Sequence, residues 1–344
     1  MTTPSSTVDT DFVGLLADIF GDWRRDRKEP SASVSLDRAL WTTLSESDLT
    51  RLTATDGAGA TWVEAAELLR AAARVAAPVP LAENDLLALW LLARAGLGDT
   101  GDAGGIRTVA SLDPSGRARG VPWAGCADSV VALWQDGSRW LVADVPAAMV
   151  TVVPGHDLAG QPRDDVQVDL AALSGVAVEE PVRREYLLRG ALARAVQVTG
   201  ALEQAVELSI SHTSQRHQFG RPLAKFQAVQ QLVADAACES ALARAATDAA
   251  VATLVRGTDT LDELELRIAI ARSVTGHATS VVVRNTHQVH GAIGTTLEHP
   301  LHEVTVPALA WRSEFGSLAA WDQRLTDLLT STGGSAWQLG VPLP

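Results

Sequence analysis

The chain has 344 residues, 47% hydrophobic and 20% charged, so it can bury a sizeable core and is no solvated tail. Its 41 acidic residues against 28 basic ones give a formal charge of −13, which argues against a nucleic-acid binder but leaves room for a local basic pocket. No apolar run reaches the ~18 to 20 residues that cross a bilayer. The opening MTTPSSTVDTDFVGLL lacks the basic start and apolar stretch of a signal peptide, and Cys126 and Cys238 form no CxxC pair, so a reducing, cytoplasmic setting is expected.

Taken in chain order, the first ~100 residues read as helical. Thr61-Trp-Val-Glu64 is a capping-box pattern, followed by apolar residues at helical spacing that stop before Pro78-Val-Pro80. A second run, NDLLALWLLARA, is expected to start at an Asn84 cap and to end at Gly96. From 101 to 178 Gly and Pro become frequent. Short β-type runs appear at Ile106–Val109, Ser129–Trp134, Trp140–Val145, Val150–Val153 and Val166–Leu170, with Asp136-Gly137 as a hairpin signal. These runs predict a small, mostly antiparallel β unit.

From 179 to 344 the pattern is helical again. Long helices are expected over Arg183–Ser214, Ala224–Val255 and from a capping box at Thr260-Leu-Asp-Glu263 to Val289, with shorter ones at 300–313 and 317–330. Long helices with short connections predict an antiparallel bundle of four or more. The fold class expected is therefore mainly α with a small β domain: an N-terminal helical domain (1–100), a middle β domain (101–178) and a C-terminal bundle (179–344).

Two segments are unlike ordinary helix connections. Arg216-His-Gln-Phe-Gly-Arg-Pro-Leu-Ala-Lys-Phe-Gln227 combines a guanidinium, an amide, an aromatic and a glycine turn before a helix start. That set suits a pyrophosphate and a ring system, because arginine pairs phosphate oxygens and a helix N-terminus adds positive dipole. A rigid turn between helices, with Phe219 and Phe226 plugging the bundle, is the structural alternative. The second segment, His287-Gln-Val-His-Gly-Ala-Ile-Gly-Thr-Thr-Leu-Glu-His-Pro300, places small residues at 291, 292 and 294 where a ligand could approach the backbone, with Gln288 able to bond it. A tight helix–helix turn explains it equally well.

Together and in this order, the two segments resemble the acyl-CoA dehydrogenase family, with its R-x-Q-F-G-x-P-L/I-x-x-F-Q and later Q-x-x-G-G-x-G motifs. The likeness extends over most of the chain: AAPVPLAE at 76–83 resembles the stretch after the second helix of the family's N-terminal domain, and the α, β, helical-bundle order is the family's layout. The resemblance implies FAD as cofactor, an acyl-CoA substrate and an electron-transfer acceptor. It implies that Arg216, Gln218 and Phe219, with Phe226 and Gln227, contact the FAD tail held by a neighbouring subunit. It also implies that Gln288, Gly291 and Ala292, the last standing where the family has a second Gly, contact the same dinucleotide, with Gly294 shaping the turn.

The departures carry as much information. The Thr/Ser- and Gly-rich stretch that holds the flavin ring has no counterpart in the β region, where IRTVASLDPSGRARG occupies its neighbourhood. The reaction needs a carboxylate to take the α-proton of an acyl thioester, and a desolvated Glu with raised pKa suits this. One family position for it aligns with Gly190 and Ala191; the other is met by Glu314 in WRSEFGS, one residue off in spacing, where an ion pair with Arg312 is the structural alternative. Two HxxH pairs, His287/His290 and His299/His302, raise a metal site as a rival. The Gly turn and Pro300 break the helix between the pairs, so no metal is expected.

The chain resembles in particular the shorter subunit of the heterotetrameric, actinobacterial members of the family, which implies a role in lipid metabolism. Such a subunit would pair with a longer homologue in an α2β2 enzyme and supply the face that grips the FAD tail, while the partner supplies the ring loop and the base. The resemblance points to a bulky, steroid-type thioester. A self-sufficient homo-oligomer using Glu314 and a non-catalytic stabilising subunit are the alternatives.

Overall fold

A computed structural model describes residues 8–26, 34–55, 57–98, 104–257 and 260–331. Helices α1 (Thr10–Asp26), α2 (Arg38–Glu46) and α3 (Trp62–Arg74) come first. α3 begins where its capping box lies: Thr61 accepts from the Val63 N–H while Glu64 accepts from the Thr61 N–H at 2.8 Å. Its apolar face buries Ala65, Leu68, Leu69 and Ala72 against the central helix described below.

A π-helical stretch, Ala82–Leu89, then runs directly into α4 (Trp90–Arg94). Here the expectation of an Asn84 cap fails. Asn84 lies inside the helix and is buried; its amide donates to the Thr50 carbonyl at 2.9 Å and its oxygen accepts from the Arg107 N–H at 2.7 Å. Capping is a local preference, and two tertiary bonds override it at this position. The wider helical turn presents Glu83 and Asp85, both buried, toward neighbouring layers.

The β region forms two small sheets. β1 (Arg107–Leu112), β3 (Ser129–Asp136), β4 (Arg139–Pro146) and β7 (Val176–Val178) assemble in the order β1-β3-β4-β7, with β1 and β3 parallel and the other pairs antiparallel. β2 (Arg117–Pro122), β5 (Thr151–Val153) and β6 (Arg163–Gln167) form an antiparallel sheet ordered β2-β6-β5. The β3–β4 hairpin closes on Gly137 at φ 61°. β2 and β7 escape the sequence pattern because β2 is mostly exposed and interrupted by Gly120, and β7 is three residues long. β6 starts three residues before the expected run, at Arg163, whose side chain points into the site described below.

The bundle is built on α5 (Glu180–Gln215), with α6 (Gln227–Arg256), α7 (Leu261–His290), α8 (Leu301–Trp311) and α9 (Leu318–Ser331) around it. α5 has 36 residues, roughly 54 Å at helical rise, and is buried nearly all round over its middle third. One apolar core joins α1–α3 to α5 and α7, and a second joins α5 to α6, α7 and α8. An ion network of Arg70, Arg74 and Arg244 with Glu67, Glu203, Glu207 and Asp248 ties α3 to α5 and α6. α5 thus carries its two ends to different layers: the β sheets meet its start, and the turn into α6 projects from its end.

Candidate active site

The first region to consider is the loop between α5 and α6. Arg216 ends α5, with its N–H bonded to the His212 carbonyl, and its own carbonyl accepts from the Leu223 N–H at 2.8 Å. Between these anchors His217–Gln218 (β8) and Arg221–Pro222 (β9) pair as a two-residue hairpin whose turn is Phe219 at φ 52° and Gly220 at φ 76°. Gly accepts that backbone at no steric cost, whereas a Phe there is held against its preference. The strained turn lifts the Phe219 ring to 90% exposure, edge-on to Phe226 at 6.2 Å, and Arg221 lies over the Phe226 ring at 4.2 Å. The two rings therefore do not plug the bundle. Gln227 opens α6 directly after Phe226.

The second segment lies at the end of α7. Gln288 is exposed on the last turn, and Gly291 leaves the helix at φ 65° with open space where a Cβ would stand. Ala292 is exposed as well. The side chains of Arg216, Gln218, Gln227 and Gln288 have no hydrogen-bond partner among the described residues. Exposed guanidinium and amide groups beside a bare aromatic and the start of a 30-residue helix form a surface suited to a dinucleotide anion. The chemistry of this donor set fits the tail of FAD.

The other candidate region, around Glu314, is closed. Glu314 follows α8, and Arg163 from β6 donates to its Oε1 through Nε at 3.0 Å and Nη2 at 2.6 Å. Arg194, from the middle of α5, donates to Oε2 at 2.7 Å and to Glu83 Oε1 at 2.5 Å. Asp157 lies 3.4 Å from Arg163 at the far end. The result is an alternating chain, Asp157–Arg163–Glu314–Arg194–Glu83, crossing from the β sheets through the bundle to the π-helical stretch. Arg272 of α7 completes it with no carboxylate ion pair among the described residues, donating to the carbonyls of Arg312, Glu314 and Gly316 and so fixing the turn that carries Glu314.

The charges follow from this geometry. Burial alone would raise the Glu314 carboxyl, but Arg194 and then Arg163 outweigh it and hold the group below its ordinary value. Burial would lower the Arg194 guanidinium, yet Glu314 and Glu83 raise it. Arg272 is pushed down to about 10, by burial first and then by Arg194. A carboxylate with both oxygens occupied and its proton affinity reduced is poorly suited to removing a carbon-bound proton. The Arg312 pairing considered for Glu314 does not form; that guanidinium reaches Ser280 Oγ instead, at 2.8 Å.

The structure also brings the two alternative base positions together. Gly190 on α5 packs against the ring of Phe315, so closely that a Cβ at 190 would stand 2.3 Å from the ring edge. Ala191 is buried in the same helix. The cavity bounded by Glu83, Arg163, Arg194, Gln197 and Trp311 holds ≈ 10 Å³, the room of about one water. Ile106–Gly120 adds no open loop, since Asp113 takes the Ser115 and Arg117 N–H groups and closes the turn between β1 and β2 on itself. Sequence reasoning did not single out Arg163, Arg194, Arg272 or Glu83. The one available signal was Arg194, a guanidinium among the apolar positions of α5.

Residues 181–318 match the family model for the acyl-CoA dehydrogenase C-terminal domain. The acyl-CoA dehydrogenase IpdE2 of Mycobacterium tuberculosis is 30% identical over 254 residues, covering 72% of this chain and 71% of that protein. FadE34 of the same organism, also an acyl-CoA dehydrogenase, is 28% identical over 248 residues, 70% of this chain; the chain spans only 33% of FadE34's own length. For several of the curated relatives it matches, the chain covers well under two thirds of the protein, 42% in the case of the 3-sulfinopropanoyl-CoA desulfinase of Paraburkholderia xenovorans. Among solved structures, a chain of the ChsE4–ChsE5 complex from M. tuberculosis superposes with a TM-score of 0.82 at 21% identity, covering 98% of this chain and 100% of that one. The Tcur3481–Tcur3483 steroid ACAD gives 0.80 at 22% identity, covering 95% and 98%. At these identities the structural likeness is one of fold.

Proposed function

The chain belongs to the acyl-CoA dehydrogenase family, and from that premise we propose that it is one subunit of an FAD-dependent enzyme that desaturates an acyl-CoA thioester between Cα and Cβ. Its part is to supply the surface that grips the FAD tail, not the base. The observation that carries this reading is the contrast between its two candidate regions. The side chains of Arg216, Gln218, Gln227 and Gln288 stay exposed with no hydrogen-bond partner among the described residues, whereas both carboxylate oxygens of Glu314 are taken by guanidinium groups.

FAD, when bound, supplies the hydride acceptor of the reaction, whose electrons then pass to an electron-transfer acceptor. Arg216 would pair with phosphate oxygens, Gln218 and Gln288 would donate or accept at the dinucleotide edge, and Phe219 would offer an apolar face. Gln227, Phe226, Gly291 and Ala292 shape the same surface. Because these groups point outward, the cofactor they hold must be completed by another chain. A longer homologous subunit in an α2β2 assembly meets that need, carrying the ring loop and the base. The ChsE4–ChsE5 complex and the steroid ACAD support a heteromeric partner and a bulky, steroid-type thioester as substrate class.

A self-sufficient homo-oligomer would have to draw its base from Glu314, and the two guanidiniums on that carboxylate speak against it. Expressing the chain alone and together with a longer homologue tests the proposal. Flavin retention and flavin reduction by acyl-CoA thioesters are expected only in the mixed assembly. A flavin-loaded homo-oligomer of this chain that is reduced by a thioester would overturn it. A mixed assembly in which deleting the Arg216–Gln227 loop leaves flavin content unchanged would instead favour a purely stabilising subunit.

A further inference from the structure

The two HxxH pairs do not form the metal site their spacing suggested, yet the fold brings together a different trio of histidines. His212 comes from the last turns of α5, His290 from the end of α7, and His299 from the turn before α8. One nitrogen of each ring lies within 4.8 Å of the others. The His212 and His290 rings stack at 4.4 Å between centroids, and the His299 ring meets His290 edge-on at 4.5 Å.

His290 is the informative member. Only 6% of it is exposed, and its Nδ1 lies 2.7 Å from the Thr286 carbonyl, which fixes the proton on Nδ1. Its Nε2 then carries the lone pair, and that atom is buried with no partner at hydrogen-bond distance among the described residues, with the Leu208 backbone also near the ring. A buried acceptor without a partner costs free energy unless something accepts its lone pair. A backbone carbonyl on the far nitrogen is also the arrangement that orients a metal-ligating histidine.

We propose that His212, His290 and His299 form a binding site for a divalent transition metal of zinc type. Three neutral imidazoles suit Zn²⁺ and its neighbours rather than Ca²⁺ or Mg²⁺, which take oxygen ligands. At metal–nitrogen distances of about 2.0–2.1 Å the ligating nitrogens stand roughly 3.4 Å apart, so the half-exposed His212 and His299 rings close inward, and the His212 ring turns out of its stack on His290 to aim its in-plane lone pair at the shared point. The Leu301 N–H donates to His299 Nδ1 at 3.1 Å, and this bond gives way as His299 becomes a ligand. The partial exposure of His212 and His299 leaves a fourth position to water. Such a metal would clip together the ends of α5 and α7 and the turn into α8, next to the loop that starts at Arg216. The site stands on this chain's own geometry and does not depend on the acyl-CoA reading.

The test uses the full chain without an affinity tag, treated with chelator and then titrated with Zn²⁺ by calorimetry and with Co²⁺ by absorption. The expected result is one Zn²⁺ per chain and Co²⁺ bands of a four-coordinate nitrogen site. His212→Ala and His299→Ala, both at half-exposed positions, should each weaken Zn²⁺ binding by at least about tenfold without changing helix content. His277→Ala, an exposed histidine paired with Asp322, should bind as the wild type does. Absence of stoichiometric Zn²⁺ and Co²⁺ binding would overturn the proposal, as would binding that survives both substitutions unchanged. Raised melting temperature on adding Zn²⁺, lost in His212→Ala and retained in His277→Ala, gives a second readout independent of any enzymatic activity.

Discussion

The loop after α5 and the centre of α5 carry the same kind of residue to opposite ends. At Arg216 a guanidinium stands exposed with no partner among the described residues, whereas at Arg194, six turns earlier on the same helix, a guanidinium is 2% exposed between Glu83 and Glu314. One region keeps its bonding capacity for something outside the chain; the other has consumed it internally. Charge-bearing residues alone therefore do not mark a working site. What separates the two is whether the fold leaves a lone pair, a donor or a space unspent.

The comparison breaks most visibly at Arg194. Replacing it with Met leaves Glu83 and part of Glu314 as uncompensated buried charge, and a stability loss of about 3–5 kcal/mol is expected by thermal or urea unfolding. Adding Glu83→Gln to Arg194→Met should recover part of that loss, since one of the stranded charges is then gone. If Arg194→Met melts like the wild type, the ion chain is not the fixed element described here.

At the exposed end the readout changes from stability to ligand. Arg216→Ala removes charge-assisted bonds worth roughly 1.5–3 kcal/mol toward a phosphate, so flavin retention in the assembled enzyme should fall about tenfold to a hundredfold. Melting of the flavin-free chain should be nearly unchanged. The reverse outcome, apo stability lost and flavin kept, would move Arg216 to the structural class occupied by Arg194.

Smaller effects sharpen the picture of closure. Gly190→Ala drives a methyl into the Phe315 ring and should cost about 1–3 kcal/mol through overpacking. In the double variant with Phe315→Ala, the two costs should not add, because the ring that the methyl strikes is absent. Acid sensitivity is a gentler probe. The folded-state pKa of Glu314 lies below its ordinary 4.5, so its contribution is present above that value and is lost as pH falls through the folded pKa. Unfolding monitored below pH 4.5 should therefore show a shallower acid limb in Glu314→Gln than in the wild type.

Much of the scaffold was legible from local rules. The Thr61 box, the turn at Gly137 and the long amphipathic runs depend on neighbours a few residues away, and they appear where the pattern places them. The glycine turn in the loop from Arg216 was legible as well, because it depends on consecutive residues. The ion chain was not. Its bonds join residues 111, 120 and 151 positions apart, and the one local signal, a guanidinium at 194 among the apolar positions of α5, does not name its partners. Asn84 failed for the same reason, since distant partners at Thr50 and Arg107 draw it into the helix interior. The histidine trio likewise needs His212, which the spacing of the later pairs gives no cause to include.

The measurement that bears most directly on the open-and-closed account is the rate of flavin reduction by an acyl-CoA thioester in the assembled, flavin-loaded enzyme carrying Glu314→Gln. If Glu314 is a structural member of the ion chain, that rate stays within a few-fold of wild type while the melting temperature falls. If Glu314 is the base, the rate drops by about 10²–10⁴, the ordinary worth of a positioned general base, and the account is contradicted.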